Sequence, residues 1–172
     1  LNLIREHLRL ALERGVAIRI LTTDYLFVTD PGALGRLLDD SLDDSLAGSL
    51  EVRVFSAGNT SFHPKAYIFT SDPERPGVAL VGSNNLSRSG ILDGVEWSLR
   101  STQTQPLISE FDLLWDDERT TSLTQEWLEV YAEKKRLIPT IDAEGVRTVV
   151  RDSEVDNESE EFTPNQVQVE AK

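Results

Sequence analysis

His63 and Lys65 stand two residues apart in the segment Phe62-His63-Pro64-Lys65-Ala66-Tyr67-Ile68-Phe69. The apolar run over residues 65–70 reads as a strand. Side chains alternate between the faces of a strand, so residues two apart project to the same side. An imidazole beside an ammonium on one face suits a phosphate. The lysine neutralises the oxyanion, and the imidazole can attack phosphorus or carry a proton. A second strand reading, over residues 78–82, ends at Gly82-Ser83-Asn84-Asn85. There glycine lets backbone approach a ligand closely, and the Asn85 amide can donate to a non-bridging phosphate oxygen. Glu96 falls in the alternating segment 95–100, a further strand reading. From that strand its carboxylate can accept from one imidazole nitrogen and fix the tautomer of His63. Taken singly, a strand histidine, a lysine, a GSNN turn and a strand glutamate are ordinary structural or solvated residues. Their convergence at strand positions and strand ends carries the reading.

The elements that must position these residues interleave. Leu1, Ile4, Leu8 and Leu12 recur at helical spacing up to Gly15, and residues 17–21 read as a strand. Asp30-Pro31 opens a helix with Leu34, Leu37, Leu38 and Leu42 on one face, and residues 50–55 alternate as a strand. A polar turn with two prolines at 71–77 separates the strands at 65–70 and 78–82, and residues 85–91 suggest a short helical turn. Leu107, Phe111, Leu114 and Trp115 mark one helix, and Leu123, Trp127, Leu128, Val130 and Tyr131 another. Pro139 ends the compact part, and weak strand signals follow at 146–150. Such an order specifies an α/β domain, a mixed β-sheet flanked by helices. Trp97, Trp115 and Trp127 can stack on bases, but their places in the apolar periodicity assign them to the core. His7 lies on the first helix pattern without a lysine partner and reads as a surface residue.

Charge and composition bound the function. The 172 residues carry 17 Lys and Arg against 30 Asp and Glu, a net charge of −13, and no cysteine. The absence of cysteine excludes a disulfide scaffold, a Cys-ligated zinc site and a cysteine nucleophile. No apolar run approaches the ~18–20 residues of a membrane helix, and residues 1–12 show no signal-peptide pattern, being interrupted by Arg5, Glu6, His7 and Arg9. A cytoplasmic protein with no membrane partner is expected. Overall acidity argues against nucleic acid, but it is unevenly spread. Residues 1–100 hold 10 basic and 13 acidic side chains, and residues 101–172 hold 7 and 17. Asp152, Glu154, Asp156, Glu158, Glu160 and Glu161 form a run that reads as a solvated linker. The near-neutral first part is where His63, Lys65 and Arg88 lie.

His63-Pro64-Lys65 followed by Gly82-Ser83-Asn84-Asn85 resembles the HxK…GSxN motif of the phospholipase D superfamily, with Asn85 as the matching amide. Glu96 resembles the glutamate of its nuclease branch. The resemblance implies a metal-independent phosphodiesterase. In it His63 forms a covalent phosphohistidine, Lys65 and Asn85 grip the phosphate, Ser83 supports the pocket and Glu96 orients His63. It implies no cofactor for that site. The fuller motif places an aspartate where this chain has Thr70, with Asp72 two residues on, a departure that points to the nuclease branch. The superfamily uses two such motifs per site and this chain has one, so a working site implies a homodimer with two His63 residues facing each other.

Longer stretches, RILTTDYLFVTDPGALGRLLD through FDLLWDD, resemble the phospholipase D-like domain at the N-terminus of superfamily 2 DEAD/DEAH-type helicases. The segment from Phe162 to Ala171, with Pro164 and Gln168, resembles the adenine-reading PxxxQxxA segment that precedes the ATP-binding loop of such motors. No GxxxxGK[ST] occurs, so ATP and Mg are expected only in a motor that follows. The implied organisation is a phospholipase D-like domain at 1–138, an acidic linker at 139–161 and the start of a helicase domain at 162–172. Leu1 opens inside a helix where this fold begins with a strand, so the chain reads as a fragment whose sheet lacks one position. The function expected is a DNA endonuclease module of a helicase or restriction-type protein, with Arg88 on a backbone phosphate. The alternative is a non-catalytic nucleic-acid-binding or dimerisation module of an ATP-dependent helicase. A phospholipid hydrolase is disfavoured by the single motif, the Glu96 spacing and the lack of membrane-binding signals.

Overall fold

The computed structural model describes residues 2–70, 77–138, 140–141 and 147–148. Contacts divide the chain into two units, Leu1–Lys135 and Arg136–Lys172. Within the first, helix α1 (Asn2–Glu13) leads into β1 (Ile18–Thr23), helix α2 (Pro31–Ser41) and β2 (Leu50–Phe55). Asp30 caps α2, its carboxylate accepting from the Gly32 and Ala33 N–H groups, with Pro31 in the first turn where its missing N–H costs nothing. Strands β3 (Ala66–Phe69), β4 (Val78–Gly82) and β5 (Ser98–Ser101) follow, with a π-helical turn at Ser89–Asp93 between β4 and β5. Helix α3 (Gln105–Trp115), strand β6 (Thr120–Ser122) and helix α4 (Gln125–Arg136) complete this unit. The second contains the antiparallel pair β7 (Thr140–Ile141) and β8 (Arg147–Thr148). No helix among the described residues is long and apolar enough to cross a membrane.

The class is mixed α/β, as the alternation of patterns predicts, and the strands fall into two three-stranded sheets. The first runs β1-β2-β6, with β1 and β2 parallel through α2 and β6 antiparallel to β2. The second is the antiparallel meander β3-β4-β5. Sequence reading missed β6 because Thr120-Thr121-Ser122 is too short to show alternation; its ladder on β2 supplies the order.

Leu12, Leu34, Leu37, Leu38, Leu50, Val52, Val54, Leu123 and Tyr131 form the buried core. Burial removes each such side chain from water for about 1.5–3 kcal/mol. Asp40 is 4% exposed on α2. It accepts from Arg5 (Nε 2.9 Å, Nη2 2.8 Å) and from Arg9 (Nη1 2.6 Å), so one carboxylate ties α1 to α2. Those guanidiniums hold its carboxyl below the ordinary range, against the opposing effect of burial.

Trp115 is buried and Trp127 packs on the core, as the periodicity predicts. Trp97 departs from it, with 83% of its surface exposed. It precedes the edge strand β5, where Val95, Trp97 and Leu99 all remain uncovered. The acidic run at 152–161, Pro164, Gln168 and Asp72 lie outside the described residues.

Candidate active site

The site forms where the lead-in to β3 meets the end of β4. His63 and Lys65 are not on the strand, contrary to the sequence reading. Proline has no N–H to give to a ladder, so Pro64 delays the start of β3 to Ala66. One bond reaches past the strand, from the Gly82 N–H to the Lys65 carbonyl at 3.1 Å, and it places Lys65 beside the end of β4. The two side chains nevertheless meet. Lys65 Nζ lies 2.6 Å from His63 Nδ1 and also donates to the His63 carbonyl at 3.1 Å. An ammonium can only donate, so Nδ1 is the acceptor here and the proton of the neutral ring sits on Nε2.

His63, Lys65, Gly82, Ser83 and Asn85 line one open cavity of about 420 Å³. Two glycines shape it. A Cβ at Gly82 would stand 1.9 Å from the Trp97 carbonyl oxygen, so only glycine lets the end of β4 lie against residue 97. A Cβ at Gly90 would stand 2.4 Å from the Asn85 carbonyl oxygen, so glycine also lets the π-helical turn close onto the Asn85 backbone.

Adjacent asparagines take opposite roles. Asn84 is engaged on all sides. Its Nδ2 donates to the Gly90 carbonyl at 3.0 Å, its Oδ1 accepts from the Ser98 hydroxyl, and its own carbonyl accepts from Tyr67 Oη at 2.7 Å. Burial and the nearby Glu96 carboxylate push the Tyr67 phenol above its ordinary value, keeping it the donor. Asn85 is exposed and lines the cavity. The amide expected to bind is therefore the one left facing the site.

Glu96 does not reach the role expected of it. It lies ahead of β5, not within it, and its carboxylate accepts from the Ser83 hydroxyl. The reason is local. The Trp97 N–H donates to Ser83 Oγ at 3.1 Å and the Ser83 N–H to the Trp97 carbonyl at 3.0 Å, which clamps residues 96–97 onto Ser83. Ser83 thus stands in the cavity wall with Glu96 as its hydrogen-bond partner. Arg88 is exposed and paired with Asp93, Nε to Oδ2 at 3.0 Å, outside the cavity lining. The turn that encloses Gly90 also brings Asp93 back to Arg88. His7 is exposed on α1, as expected.

Three ring contacts escape the sequence reading. Phe62 stacks on Phe55 at the end of β2, ring centroids 4.6 Å apart, and Arg119 lies over Phe55 at 4.5 Å. The Tyr25 ring meets the His63 imidazole edge-on, centroids 5.6 Å apart and planes at 82°. The signal for Tyr25 was its place just past the end of β1, where strand ends gather sites in α/β sheets. Among the described residues, no group of three or more His, Asp or Glu is arranged to hold a metal ion.

The arrangement offers an ammonium, an amide and an imidazole around one open space, a set that can hold and attack a phosphoryl group. The family model described as "Cardiolipin synthase, PLD-like domain" matches residues 2–115. No curated protein and no solved structure matches the chain.

Proposed function

Starting from a chain that belongs to the phospholipase D-like family, in general one of phosphodiester hydrolases, we propose that it is a metal-independent nuclease. The observation that carries this is the shared cavity: His63, Lys65, Ser83 and Asn85 line it together although the first and last are 22 positions apart. In this reading the phosphate draws the Lys65 ammonium off His63 Nδ1, and Asn85 donates to a second phosphate oxygen. Nδ1 then takes a proton from water while Nε2 releases one, leaving the Nε2 lone pair aimed at phosphorus. The attack forms an N–P bond and breaks a P–O bond, and the leaving oxygen takes a proton from the imidazolium of a second His63. Water then attacks phosphorus, the N–P bond breaks, and the water's proton returns to that second imidazole.

One chain supplies one such histidine, so the reading requires a homodimer with paired cavities. DNA is the proposed substrate and the cytoplasm its place of action. An ATP-driven motor is the proposed neighbour, following an acidic linker; Gln168 would then contact its adenine, with ATP and Mg as that motor's cofactors. Arg88 reaches a backbone phosphate in this reading only by leaving Asp93.

The test is cleavage of supercoiled plasmid in EDTA. The expected result is nicking by the wild type, none by His63→Ala, and DNA covalently attached to the protein after quenching in alkaline detergent. Equal nicking by His63→Ala would refute the mechanism. DNA binding without any cleavage would select the alternative, a non-catalytic nucleic-acid-binding and dimerisation module.

A further inference from the structure

Little holds the His63 imidazole in place. The residue is exposed, its one ring hydrogen bond among the described residues is the contact from Lys65, and rotation about its terminal side-chain torsion is broad. In the nuclease reading even that contact is lost when Lys65 turns to the phosphate. What remains against the ring is Tyr25, edge-on at 5.6 Å and 82°. That is the geometry in which the positive edge of one ring meets the negative face of another.

Tyr25 is itself placed with unusual effort. Leu26 and Phe27, the next two residues, both adopt left-handed backbone, with φ of +51° and +53°. Bulky side chains rarely tolerate that region, and such strain persists only where surrounding structure imposes it. The surroundings do so from both sides. Upstream, the Tyr25 N–H donates to Thr23 Oγ1 at 3.1 Å, the Thr23 hydroxyl donates to the Phe55 carbonyl at 2.9 Å, and Asp24 Oδ1 accepts from the Ala57 N–H at 2.8 Å. Downstream, Phe27 stacks on Tyr131 at 5.4 Å, and Tyr131 Oη and Lys135 Nζ both donate to the Thr29 carbonyl, at 2.9 and 2.8 Å. Leu26 and Val28 are left 68% exposed. The turn therefore exposes two apolar side chains and strains two backbone positions while holding the aromatic ring of Tyr25 against His63. Tyr25 Oη has no hydrogen-bond partner among the described residues, so the ring, not the hydroxyl, makes this contact.

We propose that Tyr25 is a positioning residue, whose ring fixes the plane of the His63 imidazole, beside Lys65 in the free protein and in its place once Lys65 has turned to substrate. For its kinetic consequences the proposal rests on the nuclease reading; for the ring geometry it does not. The experiment separates the two. The chain has two histidines, so nitrogen-15 spectra of the labelled imidazoles, assigned with His7→Gln, report the tautomer and mobility of His63 directly. In the wild type His63 should show one dominant tautomer with Nδ1 unprotonated. Tyr25→Phe should keep that signature and nick plasmid within about twofold of the wild-type rate. Tyr25→Leu should average the two ring nitrogens and lower kcat about tenfold or more, with KM within about twofold because Lys65 and Asn85 remain. Tyr25→Thr is a second truncation should the leucine variant not fold, with thermal melts run on each. His63 nitrogen shifts in both truncations equal to those of the wild type would overturn the proposal. So would Tyr25→Phe behaving as Tyr25→Leu. A wild type that nicks nothing would refute the nuclease reading and leave the nitrogen-15 comparison to decide the ring contact.

Discussion

Replacing each of two neighbouring asparagines with alanine should give opposite phenotypes. Asn84 makes two side-chain hydrogen bonds, Nδ2–H to the Gly90 carbonyl at 3.0 Å and Oδ1 from the Ser98 hydroxyl. Each neutral hydrogen bond contributes about 1 kcal/mol net, so Asn84→Ala should lose about 2 kcal/mol. For a unit of this size that lowers Tm by about 8 °C. Asn85 has no such ties among the described residues and lines the cavity, so Asn85→Ala should melt within about 1 °C of the wild type. Its cost should appear in turnover. A hydrogen bond to a charged phosphate oxygen contributes about 1.5–3 kcal/mol, which predicts a fall of roughly 10- to 100-fold in kcat/KM. Thermal melts followed by circular dichroism and plasmid nicking on the same preparations measure both quantities. The reasoning is refuted if Asn85→Ala melts early, or if Asn84→Ala melts like the wild type while losing activity. Either result would mean that the two amides have been assigned the wrong way round.

Other outcomes follow from the same structure. Asp40→Ala leaves Arg5 and Arg9 without their shared carboxylate and should destabilise the chain by about 3 kcal/mol in urea titration, the range for breaking a buried pair. Arg5 first, and then Arg9, hold the native Asp40 carboxyl below its ordinary value, so the unfolded chain binds the extra proton. That stabilisation is complete above about pH 4 and lost as pH falls through the lowered native value. The wild type should therefore lose stability in that acid window, and Asp40→Ala should lose less there. Gly82→Ala places a methyl 1.9 Å from the Trp97 carbonyl oxygen, so it should abolish nicking and lower Tm, whereas a backbone that opened without cost would leave both unchanged.

Much of this protein was legible as pattern. Leucines at helical spacing marked α2, alternation marked β2, and Val78–Gly82 was bounded by its own turn residues. Local periodicity records which face of an element is buried, so it reports elements and class without knowledge of neighbours. Residue types at His63, Lys65, Ser83 and Asn85 likewise pointed to phosphate chemistry, the expectation on which the proposed function rests. The choice of Asn85 over Asn84 came from the motif register; in the structure Asn84 is hydrogen-bonded to Gly90 and Ser98 while Asn85 lines the cavity.

Tertiary structure decided what depends on partners distant in sequence. Pro64 cut the strand short, and the bond from the Gly82 N–H to the Lys65 carbonyl, with Phe62 stacked on Phe55, holds this segment beside the end of β4 and β2. Glu96 went to Ser83 because the backbone of Trp97 is clamped there, a pairing 13 residues apart that alternation cannot encode. Tyr25 meets His63 across 38 positions through a strained turn whose anchors, Phe55 and Tyr131, come from other elements. By itself the sequence determined most of the longer elements and which atoms are available for chemistry, because both are properties of short segments, whereas β6 forms only through its ladder on β2. Which atoms touch was decided by the folded chain, because a hydrogen bond or ring contact exists only once packing has fixed both of its ends.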